Sequence, residues 1–303
     1  MLEFHQPTLA DRDWATKCYR ASGKLGCENT FTNLFIWGRR SKIARFGEFI
    51  IQRFERPHSV CYSYPNGSGD VRPALESIFE DAKGFERPMC LLGMSKEQAE
   101  ELDGLFPGMF KSRPSRNHFD YLYDIDRLAD LKGKKLQSKR NHINRFLDAY
   151  PDWSVTPLTE AHFDACREFL NGWYEQHAEP GIEGHDYTDE AAAIRQAFAH
   201  YDELGMEGLV LYAEDKVLAF TMGNPINETV FDVNFEKADP YIQGGYAIIN
   251  REFARWIRER HPQVKLLNRE DDMGLEGLRK AKESYVPDLL LEKYIAELEV
   301  HIL

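Results

Sequence analysis

Three consecutive carboxylates, Glu270, Asp271 and Asp272, stand in the stretch NREDDMG of a 303-residue chain. Crowded carboxyl groups resist shedding all their protons at once, so one of them can have its pKa raised toward working pH, where its carboxylate is a better proton acceptor for an attacking nucleophile. The same residues have a plainer reading, with Asp272 capping the next helix and its neighbours solvated. A second stretch, KGKKLQSKRNHINRF at 132–146, carries six Lys and Arg and no acid, whereas the chain as a whole has a formal net charge of -12. Lys132, Lys135, Lys139 and His142 follow helical spacings of three and four and form one stripe, with Lys134, Asn141 and Arg145 beside it. That stripe is either solvated surface or a local anion site, for which Lys135, Lys139, Arg140, Asn141 and His142 are the candidates. The remaining residues carry -18, so nucleic acid is repelled everywhere except at this patch.

The elements that must position these groups come from hydrophobic periodicity. In the second half, WSVTPL reads as a strand and 159–178 and 188–203 as helices. GLVLYAE, KVLAFTMGN and ETVFDVNF read as three strands, followed by the loop EKADPYIQGG, the helix YAIINREFARWIRER, the strand VKLLN, the helix GLEGLRKAKESY and a last strand around LLLEKYIAEL. The first half gives the same order: EFHQP, helices at 9–21 and 29–39, strands KIARF, FIIQRFE and SVCYSY, the loop PNGSGD, helix VRPALESIFEDA, strand PMCLLG, helix SKEQAEELDGLF and strand HFDYLYDI. A matching order in both halves implies a duplicated α/β (α+β) domain. The expected boundaries are 1–125 and 151–303, with 126–150 a basic connecting helix whose apolar side is Leu136, Ile143 and Leu147.

Short turns pair neighbouring strands antiparallel, while the strands flanking the third helix of each half need a crossover and lie parallel. Each sheet is therefore expected to be mixed, with helices on its faces. The glycine loop of the second half opens into a helix N-terminus, whose free N–H groups favour a phosphate. Gln243, Gly244 and Gly245 are where a pyrophosphate would sit, with Tyr246 and Ala247 in the first turn. Two glycines between a strand and a helix can equally be a simple turn.

At 43% hydrophobic and 13% aromatic residues the chain can bury a sizeable core. Cys18, Cys27, Cys61, Cys90 and Cys166 show no metal-type spacing, which fits free thiols, a reducing compartment and no bound metal. The start, MLEFHQPTLADRDW, lacks the regions of a signal peptide, and no apolar run nears the roughly 20 residues of a membrane span. The expected location is the cytoplasm.

The element order with a glycine loop before the third helix is similar to the GNAT acyltransferase superfamily, and its duplication resembles the FemABX aminoacyltransferases. TFTNLFIW (30–37), KGKKLQSKRNHINRF and NREDDMGLEGLRKAKESYVP (268–287) resemble a bacterial family of uncharacterised proteins related to the C-terminal domain of phosphatidylglycerol lysyltransferase. The resemblance implies a tandem GNAT-like fold and transfer of an acyl or aminoacyl group, from acyl-CoA or aminoacyl-tRNA, to an amine or hydroxyl of a small-molecule, peptide or lipid acceptor. The aminoacyl option brings tRNA as a partner; a non-catalytic nucleotide- or RNA-binding module is the other class.

Residue by residue, the GNAT phosphate loop places Gly245 and Ala247 on its last two positions, with Ile242 where Gln or Arg belongs. The first half, with Gly67 and Gly69, fits less well. The donor groove would use strand residues Val233, Asn234 and Phe235, where the parallel pair splays. Among Glu270, Asp271 and Asp272 the resemblance implies a base. Near the GNAT general-acid position stand Tyr285 and Lys282, the latter closer by spacing. Trp173 and Tyr174, with His177, His185 and Tyr187, border the implied acceptor pocket.

Overall fold

The computed structural model describes residues 2–177 and 187–299, without the side chains of Gln176 and His177. Its elements, in chain order, begin with α1 (Arg12–Ser22), α2 (Phe31–Ile36), β1 (Lys42–Phe46), β2 (Phe49–Arg56), β3 (Ser59–Ser63), β4 (Asn66–Gly67) and α3 (Arg72–Lys83). Next come β5 (Met89–Met94), α4 (Lys96–Leu105), β6 (Phe110–Pro114), β7 (Asp120–Asp124), α5 (Ile125–Asp130), α6 (Gln137–Ala149) and β8 (Ser154–Pro157). The chain continues with α7 (Glu160–His177), α8 (Thr188–Ala199), β9 (Glu207–Ala213), β10 (Lys216–Pro225), β11 (Val230–Ala238) and α9 (Gly245–Arg260). It closes with β12 (Leu266–Asn268), α10 (Glu276–Glu283), β13 (Leu289–Leu291) and β14 (Tyr294–Leu298).

These elements form two compact units. One comprises residues 1–120 and 291–303, the other 121–290. The first has a sheet ordered β1-β2-β3-β5-β14-β6, in which β3 and β5 are parallel. The second has a sheet ordered β13-β7-β12-β11-β10-β9-β8, in which β11 and β12 are parallel. Both are mixed sheets flanked by helices, as the sequence implies. The strand assignment at the two ends of the repeat differs. HFDYLYDI, expected to finish the first repeat, becomes β7 and pairs with β12. LLLEKYIAEL, expected as one strand of the second repeat, is two: β13 in the second sheet and β14 between β5 and β6 in the first.

The basic stretch is also corrected. Instead of one helix over 126–149, Leu131 turns left-handed (φ 50°) at the end of α5, Gly133 (φ 95°) follows, and a 3-10 turn at Lys134–Leu136 leads into α6. A left-handed residue ends a helix by redirecting the chain. Leu136 and Ile143 are buried as expected, joined by Phe146, and Leu147 packs against the same core.

In the first unit Cys61 and Cys90 stand opposite each other on β3 and β5 and form a disulfide. The expectation of five free thiols is thus corrected: Cys18, Cys27 and Cys166 are the free ones. The carboxylates of Glu28 and Asp120 and the Cys27 thiol converge, and the ammonium of Lys293 lies among them, 2.6 Å from Glu28, 2.7 Å from Asp120 and 3.7 Å from Cys27 Sγ. An internal cation thus balances that cluster. No helix among the described residues is long and apolar enough to cross a membrane.

In the second unit, α9 buries Ile248, Ile249, Phe253, Ala254 and Ile257 along one side against the sheet. Phe231 of β11 meets Phe253 edge-on. On the other side of the strands, Phe220 of β10 packs with Phe169 of α7 and Phe198 of α8. Burying each such ring stabilises the fold by about 2 kcal/mol, which fixes α9 and its N-terminus against the sheet.

Candidate active site

The parallel pairing of the second unit is short. β11 and β12 are in register only from Val230 opposite Leu266 to Asp232 opposite Asn268. Beyond that point the chain after β12 stays with β7: Arg269 N–H donates to the Tyr121 carbonyl at 2.9 Å, and Tyr121 N–H to the Glu270 carbonyl at 3.1 Å. β11 meanwhile continues along β10, with one extra residue between Asp232 (opposite Asn224) and Phe235 (opposite Met222). Such a bulge re-aims the side chains that follow it. Val233, Asn234 and Phe235 therefore stand at the opening, all three buried.

Five further residues meet there. Glu236 of β11 accepts from Arg269 Nη2 through Oε1 at 2.7 Å and from Asn250 Nδ2 of α9 through Oε2 at 3.1 Å. Lys139 of α6 holds its ammonium 4.0 Å from the centre of the Tyr285 ring, and the Arg269 guanidinium lies 4.9 Å from the same ring. Burial, then the charge of Arg269, pulls the Lys139 pKa down to about 8 despite the opposing pull of Glu236. Tyr285 is buried and its phenol is pushed up, first by burial and also by Glu236, so it keeps its proton across the physiological range.

The glycine loop and the basic helix, read separately from sequence, pack on each other. Gly244 caps α9 in the left-handed region (φ 92°), and a Cβ there would come within 2.3 Å of the His142 carbonyl of α6. Both conformation and space require glycine at this position. Gly245 opens the helix, with Tyr246 half-exposed and Ala247 buried in its first turn. Gln243 precedes the cap.

The acidic stretch behaves differently from the base expected there. The Asp272 side chain is fully buried and accepts from Tyr121 Oη at 2.6 Å, from Gly274 N–H at 2.9 Å and from Arg279 Nε and Nη2 at 2.9 Å. Burial alone would raise its pKa, but these donors outweigh it and hold the carboxyl well below the usual range. The expectation of a raised carboxyl pKa is therefore reversed at Asp272, and the residue braces the turn before α10 rather than capping it. Asp271 accepts from Met273 N–H at 3.2 Å, and Glu270, left-handed at φ 56°, donates its N–H to Asn268 Oδ1 at 2.7 Å. Lys282, read as facing the cofactor, is buried and donates to the carbonyls of Arg269 and Asp271. Its ammonium holds the loop.

Other candidates are spread out. Arg140 donates to the carbonyls of Leu131 and Gly133 and to Gln137, so it closes the end of α5. Asn141 accepts from Gln137 at 2.9 Å, and Lys132 pairs with Asp130 at 2.7 Å. Lys134, Lys135 and Arg145 are exposed. Trp173 donates to the Ala238 carbonyl at 3.1 Å and Tyr174 to Glu190 at 3.1 Å. The two rings and Tyr187 surround the buried ammonium of Lys237, which lies 3.8 Å from the Trp173 ring and 2.7 Å from Glu190. His185 and the His177 side chain lie outside the described residues.

Sequence reasoning missed Glu236, Asn250, Arg269 and Lys237. Arg269 sits inside the stretch NREDDMG, where the adjoining acids drew the reading. Asn250 on a helix face otherwise apolar was a signal in principle.

Two mixed sheets, each with a parallel pair, and the opened β11–β12 edge beside a glycine-capped helix define a tandem GNAT-like fold. The chain belongs to the phosphatidylglycerol lysyltransferase C-terminal family, whose model matches residues 19–297. A conserved protein of unknown function from Bacteroides thetaiotaomicron is 39% identical, with a TM-score of 0.91 over 99% of this chain and 100% of that one. L-PGS from Bacillus licheniformis shares the fold at 15% identity, with a TM-score of 0.67 over 95% of this chain and 92% of that one. FemX does so at 10% identity, with a TM-score of 0.64 over 97% and 96%.

Proposed function

We propose that the chain is a transferase that moves an acyl or aminoacyl group, from a CoA-type or aminoacyl-tRNA donor, to an amine or hydroxyl acceptor. The reacting group binds where β11 and β12 part. The observation that carries this reading is the end of strand pairing at Asp232 and Asn268, with the α9 N-terminus and the Glu236, Asn250 and Arg269 side chains gathered beyond it. Parted parallel strands offer backbone and side-chain groups to a ligand at the carboxyl end of the strands, and the helix N-terminus favours the donor's phosphates.

In the transfer, the acceptor nucleophile forms a bond to the acyl carbon as the bond to the donor sulfur or ribose oxygen breaks. The acceptor's proton leaves and the donor's leaving group takes one up. With Asp272 committed to Arg279, Glu270 and Asp271 are the candidates to receive a proton. Tyr285, protonated at neutral pH, is the residue to supply one. Membership in the lysyltransferase family supports the aminoacyl donor, while Gly245 and Ala247 in the first turn of α9 support acyl-CoA.

A thermal-shift series with CoA, acetyl-CoA and no ligand tests the donor class, set beside transfer assays with charged tRNA. Ligand at about 100 times its Kd stabilises by about 2.7 kcal/mol, enough for a shift of several degrees. A shift with CoA places the donor in that class. No shift together with aminoacyl transfer from tRNA selects the other, and neither response overturns the reading.

A further inference from the structure

The Glu236 carboxylate has a partner on each oxygen, and each partner leaves one polar atom over. Asn250 must turn its Nδ2 to Glu236, because the amide oxygen there would face a carboxylate, so its Oδ1 points elsewhere. That Oδ1 is buried without a hydrogen-bond partner, and so is Nη1 of Arg269, whose Nη2 is the atom bonded to Glu236. Asn250 is 2% exposed. A buried polar atom left unpaired is costly, and native structures leave few of them without a reason. Here one donor and one acceptor, both held by the same carboxylate, fall beside the parted strands.

We propose that Arg269 Nη1 and the amide oxygen of Asn250 form a subsite for a ligand edge presenting a carbonyl oxygen next to an N–H group. The carbonyl accepts from Arg269, and the N–H donates to an asparagine oxygen. An ester or thioester of an acid without nitrogen satisfies only the arginine. The edge fits two sources, the α-amino acyl group of an aminoacyl ester and the secondary amides of pantetheine. The inference rests on reading the opening as the donor groove, and it names what that groove recognises.

The test is isothermal titration of the full chain with alaninamide, with pantetheine and with acetate, using wild type and Asn250→Leu. Leucine preserves the size of the side chain and removes the acceptor. Circular dichroism confirms the fold of the variant, and Asn250→Ala provides a second variant should the first fail to fold. The expected result is binding of an amide probe that weakens about tenfold in the variant, the equivalent of one hydrogen bond to a buried group, with acetate indifferent to the change. Alaninamide as the sensitive probe identifies the amino-acyl source, and pantetheine the CoA source. Absence of binding, or binding that ignores both substitutions, overturns the subsite. If CoA or charged tRNA still acts on the wild type in that case, the donor groove stands and only the subsite falls.

Discussion

The Tyr121 hydroxyl donates to Asp272 Oδ2 at 2.6 Å, joining β7 to the loop that leaves β12. That bond, with the backbone pairing of Tyr121 to Arg269 and Glu270, keeps the loop on β7 and away from β11. The opening between the parallel strands is thus held from behind. Tyr121→Phe should cost about 2 kcal/mol of stability, the value of a buried hydrogen bond to a charged group. Denaturant unfolding measures it, and an unchanged midpoint would show that the loop is held by its other contacts.

Asp272 makes the same brace depend on pH. Its carboxyl titrates below the ordinary 3.8 in the folded chain, so the stabilisation is complete above about that pH and fades as pH falls toward the folded value. Asp272→Asn should therefore melt several degrees below wild type at pH 7, and the gap should close on acidification below pH 4. A gap that stays constant from pH 7 to pH 3 would remove the ionised carboxylate from the account.

The two glycines of the α9 loop should separate by experiment. Gly244→Ala meets both a left-handed backbone and the His142 carbonyl, and should cost about 3 kcal/mol by pushing α6 from α9. At Gly245 a Cβ meets Ala238 Cβ at 3.4 Å, an ordinary contact, so the fold tolerates a side chain. Gly245→Glu should then fold normally and lose donor binding by setting a negative charge at the helix N-terminus. Unfolding midpoints and ligand titration on both variants check this, and donor affinity unchanged in Gly245→Glu would separate the loop from any phosphate.

Periodicity made the strand order and the parallel pair legible, because alternation in ETVFDVNF and the crossover before VKLLN leave few ways to pair them. The glycine loop was legible for a related reason, since glycines before an apolar helix mark a turn. The Glu236 cluster was not. Its members are 14 and 33 residues apart and belong to a strand, a helix and a loop, so only the tertiary fold unites them. Asp272 was misjudged because adjacent acids in sequence suggest mutual repulsion, whereas the fold surrounds this one with Arg279 and Tyr121. LLLEKYIAEL reads as one alternating run, and no local signal marks the break at Glu292 and Lys293 that sends its halves to different sheets.

Lys139 is the side chain of this region that changes charge near neutrality, with a pKa drawn to about 8 from 10.5. Between those values the unfolded chain binds the proton that the folded chain has lost, so stability should rise with pH over that window relative to Lys139→Met. An NMR titration of the lysine side-chain carbons should show a resonance with a midpoint about 8 that vanishes in the variant, beside that of Lys24, which burial also draws to about 8 and which the variant leaves in place. A midpoint near 10.5 would mean that the ammonium over Tyr285 is fully compensated.

The basic stretch divides into residues that hold the fold and residues free to meet a polyanion. Arg140 belongs to the first group, so Arg140→Glu should lower stability by releasing the carbonyls of Leu131 and Gly133. Lys134, Lys135 and Arg145 are exposed, and reversing all three should leave the fold unchanged. If charged tRNA is the donor, each contact to a single-stranded phosphate adds about -0.7 to the slope of log affinity against log salt. The triple Lys134→Glu, Lys135→Glu, Arg145→Glu variant should then lose affinity for tRNA and flatten that slope by about two units, while CoA binding stays as in wild type. Filter binding of charged tRNA across a salt series measures both quantities. An unaltered slope in the triple variant would return the stripe to solvated surface and shift the weight of the donor question to acyl-CoA.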